Sequence, residues 1–137
     1  MSATDIICAT VLLDSDNRAL LQLRDNKPGL NAAGLWVFPG GHKEPGEDIL
    51  SCAKREFFEE TNYQCIHPHW LMQIDDTFLN QIPKMLHIFW DLYDGHSNYV
   101  CQEGQALEFI SRNEASDIAM PEYLVSIWDL VILASKK

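Results

Sequence analysis

The fifteen residues from Asp48 to Asn62, DILSCAKREFFEETN, hold neither Gly nor Pro and bring Ile49, Leu50, Ala53 and Phe57 round at helical spacing. With Pro45, Gly46 and Glu47 ahead of them, they predict an α-helix starting near Asp48. Most of the remaining chain runs in short β-branched and aromatic stretches. Asp5 to Leu13, DIICATVLL, and Arg18 to Arg24, RALLQLR, read as adjacent strands joined by a tight turn at DSDN. Asp25 to Gly34 has loop composition and leads to a short strand, LWVF, stopped at Pro39, Gly40 and Gly41. Further strands are expected at Gln64 to Thr77, Pro83 to Tyr93 and Ala106 to Ile110. A second helix after Pro121 carries Leu124, Ile127, Trp128 and Val131. Strands interleaved with two helices predict an α/β layered fold with a mixed sheet, a single domain over residues 1–137 without repeat or linker.

Charge narrows the partners. Ten Lys and Arg against twenty Asp and Glu give a net charge of −10, and no stretch forms a basic stripe. A nucleic acid polymer is therefore not an expected partner. A small polyphosphate is compatible with such a chain if divalent cations stand between the two sets of negative charge, which requires a local carboxylate cluster. No run approaches the roughly 18 apolar residues of a membrane span. Nor is there a signal-type leader, so a cytoplasmic location is expected. Cys8, Cys52, Cys65 and Cys101 form no C-x2-C pair and no cysteine and histidine grouping at zinc spacing, and are expected as reduced, buried or half-buried thiols.

The predicted helix supplies such a cluster. At roughly 100° per residue, Glu56 and Glu60 fall on nearly the same face as Ile49 and Ala53, with Glu59 about 80° away. The carboxylates border the buried stripe, whereas a solvated face would lie opposite it. Crowded, desolvated carboxylates repel and need a compensating cation. Arg55 stands one turn before Glu59, at pairing distance. A helix with adjacent glutamates is more often a solvated surface, and PGG alone is an ordinary turn. Phe38, Pro39, Gly40 and Gly41 directly upstream change that balance, because glycines let backbone approach a ligand closely.

From Gly40 to Tyr63 the chain spells GGHKEPGEDILSCAKREFFEETNY. This resembles the signature of the Nudix hydrolases, G-x5-E-x7-R-E-U-x-E-E-x-G-U. Gly41, Glu47, Arg55, Glu56, Phe57, Glu59 and Glu60 stand in register. One position departs: Asn62 replaces the last glycine, with Tyr63 in the final apolar place. Asn is the non-glycine residue that best tolerates a left-handed helix end, so the geometry is expected to survive. The resemblance implies a mixed β-sheet sandwiched between α-helices. It also implies Mg2+, with Mn2+ able to substitute, held by Glu56, Glu60, the Gly40 carbonyl and Glu59, directly or through water. Arg55 and Glu47 would orient them. Glu103-Gly104-Gln105 is similar to a loop that supplies a further glutamate in MutT-like members. Glu103 is therefore a candidate metal ligand, and Glu56, Glu59 or Glu103 a candidate base.

The expected chemistry is attack of water on one phosphorus of a nucleoside diphosphate derivative, foremost as a MutT-like nucleoside triphosphate pyrophosphohydrolase. A nucleotide-sugar hydrolase and a non-catalytic nucleotide sensor are the alternatives. Phe38 is a candidate base contact or a packing residue, and Gly41 and His42 are candidate phosphate contacts. Trp36, Trp70, Phe78 and Trp90 suit core positions better than stacking on a base. Subfamily markers sought at Thr77 to Asn80 are missing, as is an asparagine near DIAMPEYL that would read oxidised guanine. His67 and His69 lack a third zinc ligand, and they, His87 and His96 are expected as strand or loop polar groups. A monomer and a homodimer are equally compatible with the sequence.

Overall fold

A computed structural model of the chain describes residues 5–28, 33–76 and 84–137. β1 (Asp5–Leu13) and β2 (Ala19–Leu23) meet at their shared turn, where Leu13 faces Ala19 and Asn17 takes the left-handed conformation (φ 63°). Beyond the turn they splay. The gap is filled by β3 (Trp36–Val37), paired with β2, and β4 (Gly40–His42), paired with β1. On the other flank, β6 (Lys84–Leu92) runs parallel to β1 and is followed outward by antiparallel β5 (His69–Asp76); β7 (Ala106–Ile110) adds to β2. The sheet of seven strands among the described residues is therefore mixed.

Successive residues of a strand face opposite sides, and the core divides accordingly. Cys8, Leu12, Leu20 and Phe89 pack under α1 (Ile49–Thr61), against Cys52, Ala53 and Phe57. Val11, Leu13, Leu21 and Ile88 pack under α2 (Glu122–Ala134), against Leu124, Ile127, Trp128 and Val131. The Trp128 indole N–H donates to the Asn17 carbonyl at 3.1 Å, tying α2 to the β1–β2 turn. Among the described residues no helix is long and apolar enough to cross a membrane.

The structure departs from the sequence expectations in several places. Gly40 to His42 reads as loop yet forms a strand, because pairing with Ile7 to Ala9 is a backbone matter that a glycine pair leaves unmarked. The strand expected from Gln64 starts only at His69, after Pro68, which has no N–H for a ladder. Arg112–Asp117 adds an unforeseen 3-10 helix. Trp36 and Trp90 pack against the core as expected, but Trp70, on the edge strand β5, is 53% exposed. Three thiols are buried, while Cys101 is exposed. Thr77 to Asn80, Phe78 included, lie outside the described residues.

α1 has a cap at each end. The Asp48 carboxylate accepts from the Ser51 N–H at 2.8 Å, and Asn62 takes φ 60°, ψ 14° while its N–H donates to the Phe58 carbonyl. A β-branched side chain is strained in that conformation by about 1–2 kcal/mol. Asn62→Val is therefore expected to lower the unfolding free energy in urea by about that amount, while Asn62→Gly stays within about 1 kcal/mol of wild type. Equal stabilities for the two variants would contradict the cap.

Candidate functional site

β4 carries the first half of the site in its backbone. Lys43 N donates to the Ile6 carbonyl at 2.9 Å and Thr10 N to that of Pro39 at 3.1 Å, so the odd-numbered residues of this segment bond to β1. Gly40 and His42 consequently turn their N–H and C=O groups away from β1. The Gly40 N–H donates to Glu60 Oε2 at 2.7 Å, and the His42 carbonyl accepts from Arg55 Nη2 at 3.1 Å. The Gly40 carbonyl points to the same side. No side chain fits at Gly40, where a β-carbon would collide with the Cys8 carbonyl and the Ala9 backbone, and one on Gly41 would displace the Glu56 carboxylate.

Arg55 is the cation in direct contact with the helix carboxylates. Its Nε lies 2.7 Å from Glu47 Oε2 and its Nη2 3.0 Å from Glu47 Oε1, a two-pronged pair across the loop. Its Nη1 lies 3.2 Å from both Glu56 Oε1 and Glu59 Oε2. The Arg55 bond, aided by the Glu44 N–H, pulls the Glu47 pKa down to about 2. Glu56 and Glu60 shift upward. Burial, then the Glu59 carboxylate, pushes Glu56 up to about 7. Glu60, 4% exposed, is pushed by burial to about 8, against the opposing pull of the Gln22 amide and with the Glu103 charge adding to the rise.

Glu103 arrives from a separate part of the chain. The Val100 N–H donates to the Thr61 carbonyl at 2.7 Å and the Gln102 N–H to that of Glu60 at 3.0 Å, docking this loop on the end of α1. Gly104, at φ 83°, then turns the chain so that the Gln105 N–H reaches the Leu23 carbonyl at 2.8 Å. Glu56, Glu59, Glu60 and Glu103 thereby line one cavity of about 630 Å3 together with the apolar Ile7, Ala9, Leu86, Ile88 and Leu124.

Of the candidates from sequence, Glu56, Glu59, Glu60, Arg55, Glu103, Gly40, Gly41, His42 and Phe38 all border this cavity. Glu47 stands behind it, on Arg55. Phe38 is 4% exposed and belongs to the α2-side core, so it is foremost a packing residue. The exposed His42 ring places Nε2 3.1 Å from Lys84 Nζ. Trp36, Trp70 and Trp90 lie away from the cavity lining, His87 accepts from the Trp70 indole at 3.1 Å, and His69 stacks on Trp90. The sequence reading missed Arg24, Tyr123 and Leu124 in the lining and Gln22 behind it. For Gln22 a signal existed: one amide within the apolar run ALLQL.

Hard oxygen donors and carboxyl groups pushed toward their protonated form by burial suit a divalent metal, which would favour their ionised form. Among the described residues no three acidic, cysteine or histidine side chains converge on one point.

An α/β sandwich with a glycine pair feeding a glutamate-bearing helix defines the class of protein, and comparison with known proteins gives the family. The NUDIX domain model matches residues 4–127, and the chain belongs to this family. An RNA pyrophosphohydrolase of Bradyrhizobium sp. (strain ORS 278) is 31% identical over 87 residues, 64% of this chain and 49% of that protein. The matched stretches span about half or less of the curated relatives' length. The MutT protein of Methanosarcina mazei Go1 has the same fold, with a TM-score of 0.80 at 18% identity over 99% of this chain and 98% of that one. So does a bifunctional NMN adenylyltransferase/ADP ribose pyrophosphatase of Francisella tularensis complexed with AMP and a Mn ion, with a TM-score of 0.76 at 20% identity over 99% of this chain and 42% of that one.

A carboxyl whose pKa is higher folded than unfolded binds more protons in the folded state, so its contribution to stability is lost as pH rises from about 4.5 to the folded value. Glu60 is such a group, and the window closes near pH 8. Glu47 acts oppositely, its stabilisation disappearing as pH falls from about 4.5 toward 2. In chelator, Glu60→Gln is expected to melt higher than wild type at pH 8 and to lose that advantage by pH 5. A pKa unit is about 1.4 kcal/mol, so the gap at pH 8 should reach about 2 kcal/mol or more. Thermal melts at both pH values check this; a gap independent of pH would contradict it.

Proposed function

We propose that the chain is a divalent-metal-dependent hydrolase of a nucleoside diphosphate derivative, acting on a nucleoside triphosphate to release monophosphate and pyrophosphate. One observation carries the reading: carboxylates from two separate segments, Glu56 and Glu60 on α1 and Glu103 on its loop, line one cavity together with Gly40 and the apolar Ile7, Ala9, Leu86, Ile88 and Leu124. The carboxylates suit a phosphate chain with its cations, and the apolar side chains a nucleobase.

Glu56, Glu60 and the Gly40 carbonyl would hold the metal, with Glu59 and Glu103 reaching it directly or through water. Mg2+ is the expected ion, Mn2+ a working substitute. When bound, it supplies charge neutralisation for the phosphates and the departing group. The chain's own residues do the rest. Arg55, fixed by Glu47, sets where Glu56 and Glu59 point. A carboxylate of the cluster takes the proton of the attacking water, whose oxygen forms the new bond to phosphorus as the bridging P–O bond breaks. The apolar side chains of the lining hold the nucleoside end still while this happens.

A second reading is hydrolysis at a 5′-triphosphate end of RNA, favoured by the name of the Bradyrhizobium relative. The net charge of −10 weighs against it. Release of phosphate with Mg2+, using added pyrophosphatase for nucleoside triphosphates and 5′-triphosphorylated RNA and an added phosphatase for nucleotide sugars, whose products are monophosphates alone, separates the readings. Glu60→Gln is expected to lower turnover of the preferred substrate by about 100-fold or more. Arg55→Lys, which cannot reproduce the fork to Glu47, should lower it by about 10-fold or more. Tight nucleotide binding without turnover would replace the hydrolase with a sensor.

A further inference from the structure

Gln22 is a buried amide, 3% exposed, in the middle of β2. Its neighbours on the strand, Leu20, Leu21 and Leu23, are apolar, and a buried amide in such surroundings needs partners for its donors. Nε2 donates to the Glu103 carbonyl at 3.1 Å. The amide also stands near enough to the Glu60 carboxylate to favour its charged form. Gln22 also lines a second cavity of about 450 Å3, which shares Arg24, Glu60 and Glu103 with the first.

Glu60 comes from α1 and Glu103 from a loop more than forty residues later, joined at this end by the Gln102 N–H on the Glu60 carbonyl. That bond fixes backbone to backbone and leaves the Glu60 side chain free to turn. The Gly40 N–H holds one of its oxygens from the β4 side. The Gln22 amide approaches from β2, held in register between Val37 of β3 and Leu107 of β7.

We propose that Gln22 is a positioning residue of the site: its side-chain amide holds the Glu103 carbonyl and so fixes the loop that carries Glu103 beside Glu60. The inference rests on the reading of Glu60 and Glu103 as members of one metal-binding cluster. Gln22 touches no reacting atom. It acts as groups behind metal ligands do, by fixing their orientation, and loss of such a group costs about 10–100-fold in metal affinity.

Gln22→Met keeps length and unbranched shape but has no donor, and Gln22→Asn keeps the amide but falls a methylene short. Both are compared with wild type by amide hydrogen exchange in chelator, by Mn2+ titration, and by kcat and KM on whichever substrate the wild type turns over. In both variants exchange is expected to rise by about 10-fold or more at residues 99–105 and to stay at wild-type level in α1 and β1. Mn2+ affinity should fall by about 10-fold or more, and kcat should fall with KM little changed. Exchange rising throughout the core would make Gln22 a packing residue and overturn the proposal. Wild-type exchange at 99–105 with wild-type Mn2+ affinity would overturn it as well. A wild type that binds no Mn2+ defeats the underlying reading, and the proposal with it; normal Mn2+ binding in wild type and variants alike defeats the proposal alone.

Discussion

An ionised carboxylate taken out of water costs several kcal/mol unless a partner replaces the lost hydration, and Glu60 is almost wholly buried. Two neutral donors, the Gly40 N–H and the Gln22 amide, offset part of that cost, and the residual strain shows in a carboxyl that keeps its proton up to about pH 8. The rest of the architecture holds this group in place. Phe57 and Ala53 anchor the helix face that carries it, the caps at Asp48 and Asn62 fix where that helix begins and ends, and the splay of β1 from β2 admits the strand segment whose glycines lie against it. Folding stability spent at one point in this way is the usual mark of a site shaped for a ligand.

Arg55 divides the surrounding carboxylates by the attention each receives. Glu47 gets two prongs of the guanidinium and remains ionised to low pH, which makes it a fixed counter-charge. Glu56 and Glu59 share the remaining nitrogen, while Glu60 is held by the Gly40 N–H. The outcome is a gradient from a carboxylate paired with a cation at the loop to a buried one bonded to a neutral N–H in the interior. A cation entering the cavity meets its greatest electrostatic gain at the interior end, where the dielectric is lowest.

The helix was legible from its sequence because its periodicity, its caps and the spacing of Arg55 to Glu59 are local properties. Asn62 could be read as a left-handed cap for the same reason. Glu103 was legible through family resemblance, since nothing local says that a loop will dock on the end of α1 by two backbone bonds. Gln22 and Arg24 were passed over because a polar residue in an apolar strand looks the same whether it faces solvent or a buried carboxylate. The exposure of Trp70 follows from β5 being an edge strand, and strand order is a tertiary property. The β4 pairing and the cavity wall contributed by Leu124 likewise depend on which elements end up adjacent.

The net charge of the chain bears on how such a site is reached. A field set by twenty acidic against ten basic side chains repels a bare polyphosphate at a distance and attracts divalent cations. The cavity combines carboxylates with apolar side chains from β1, β6 and α2. A nucleotide already carrying a cation is electrically smaller than the free anion, so the repulsion it meets on approach is weaker. On the proposed reading that cation would lie beside Glu56 and Glu60, and the base would leave water for the apolar side chains of the lining. The same negative field that discourages free phosphates would then favour the metal complex, and selection among anions would begin before any base-specific contact is made.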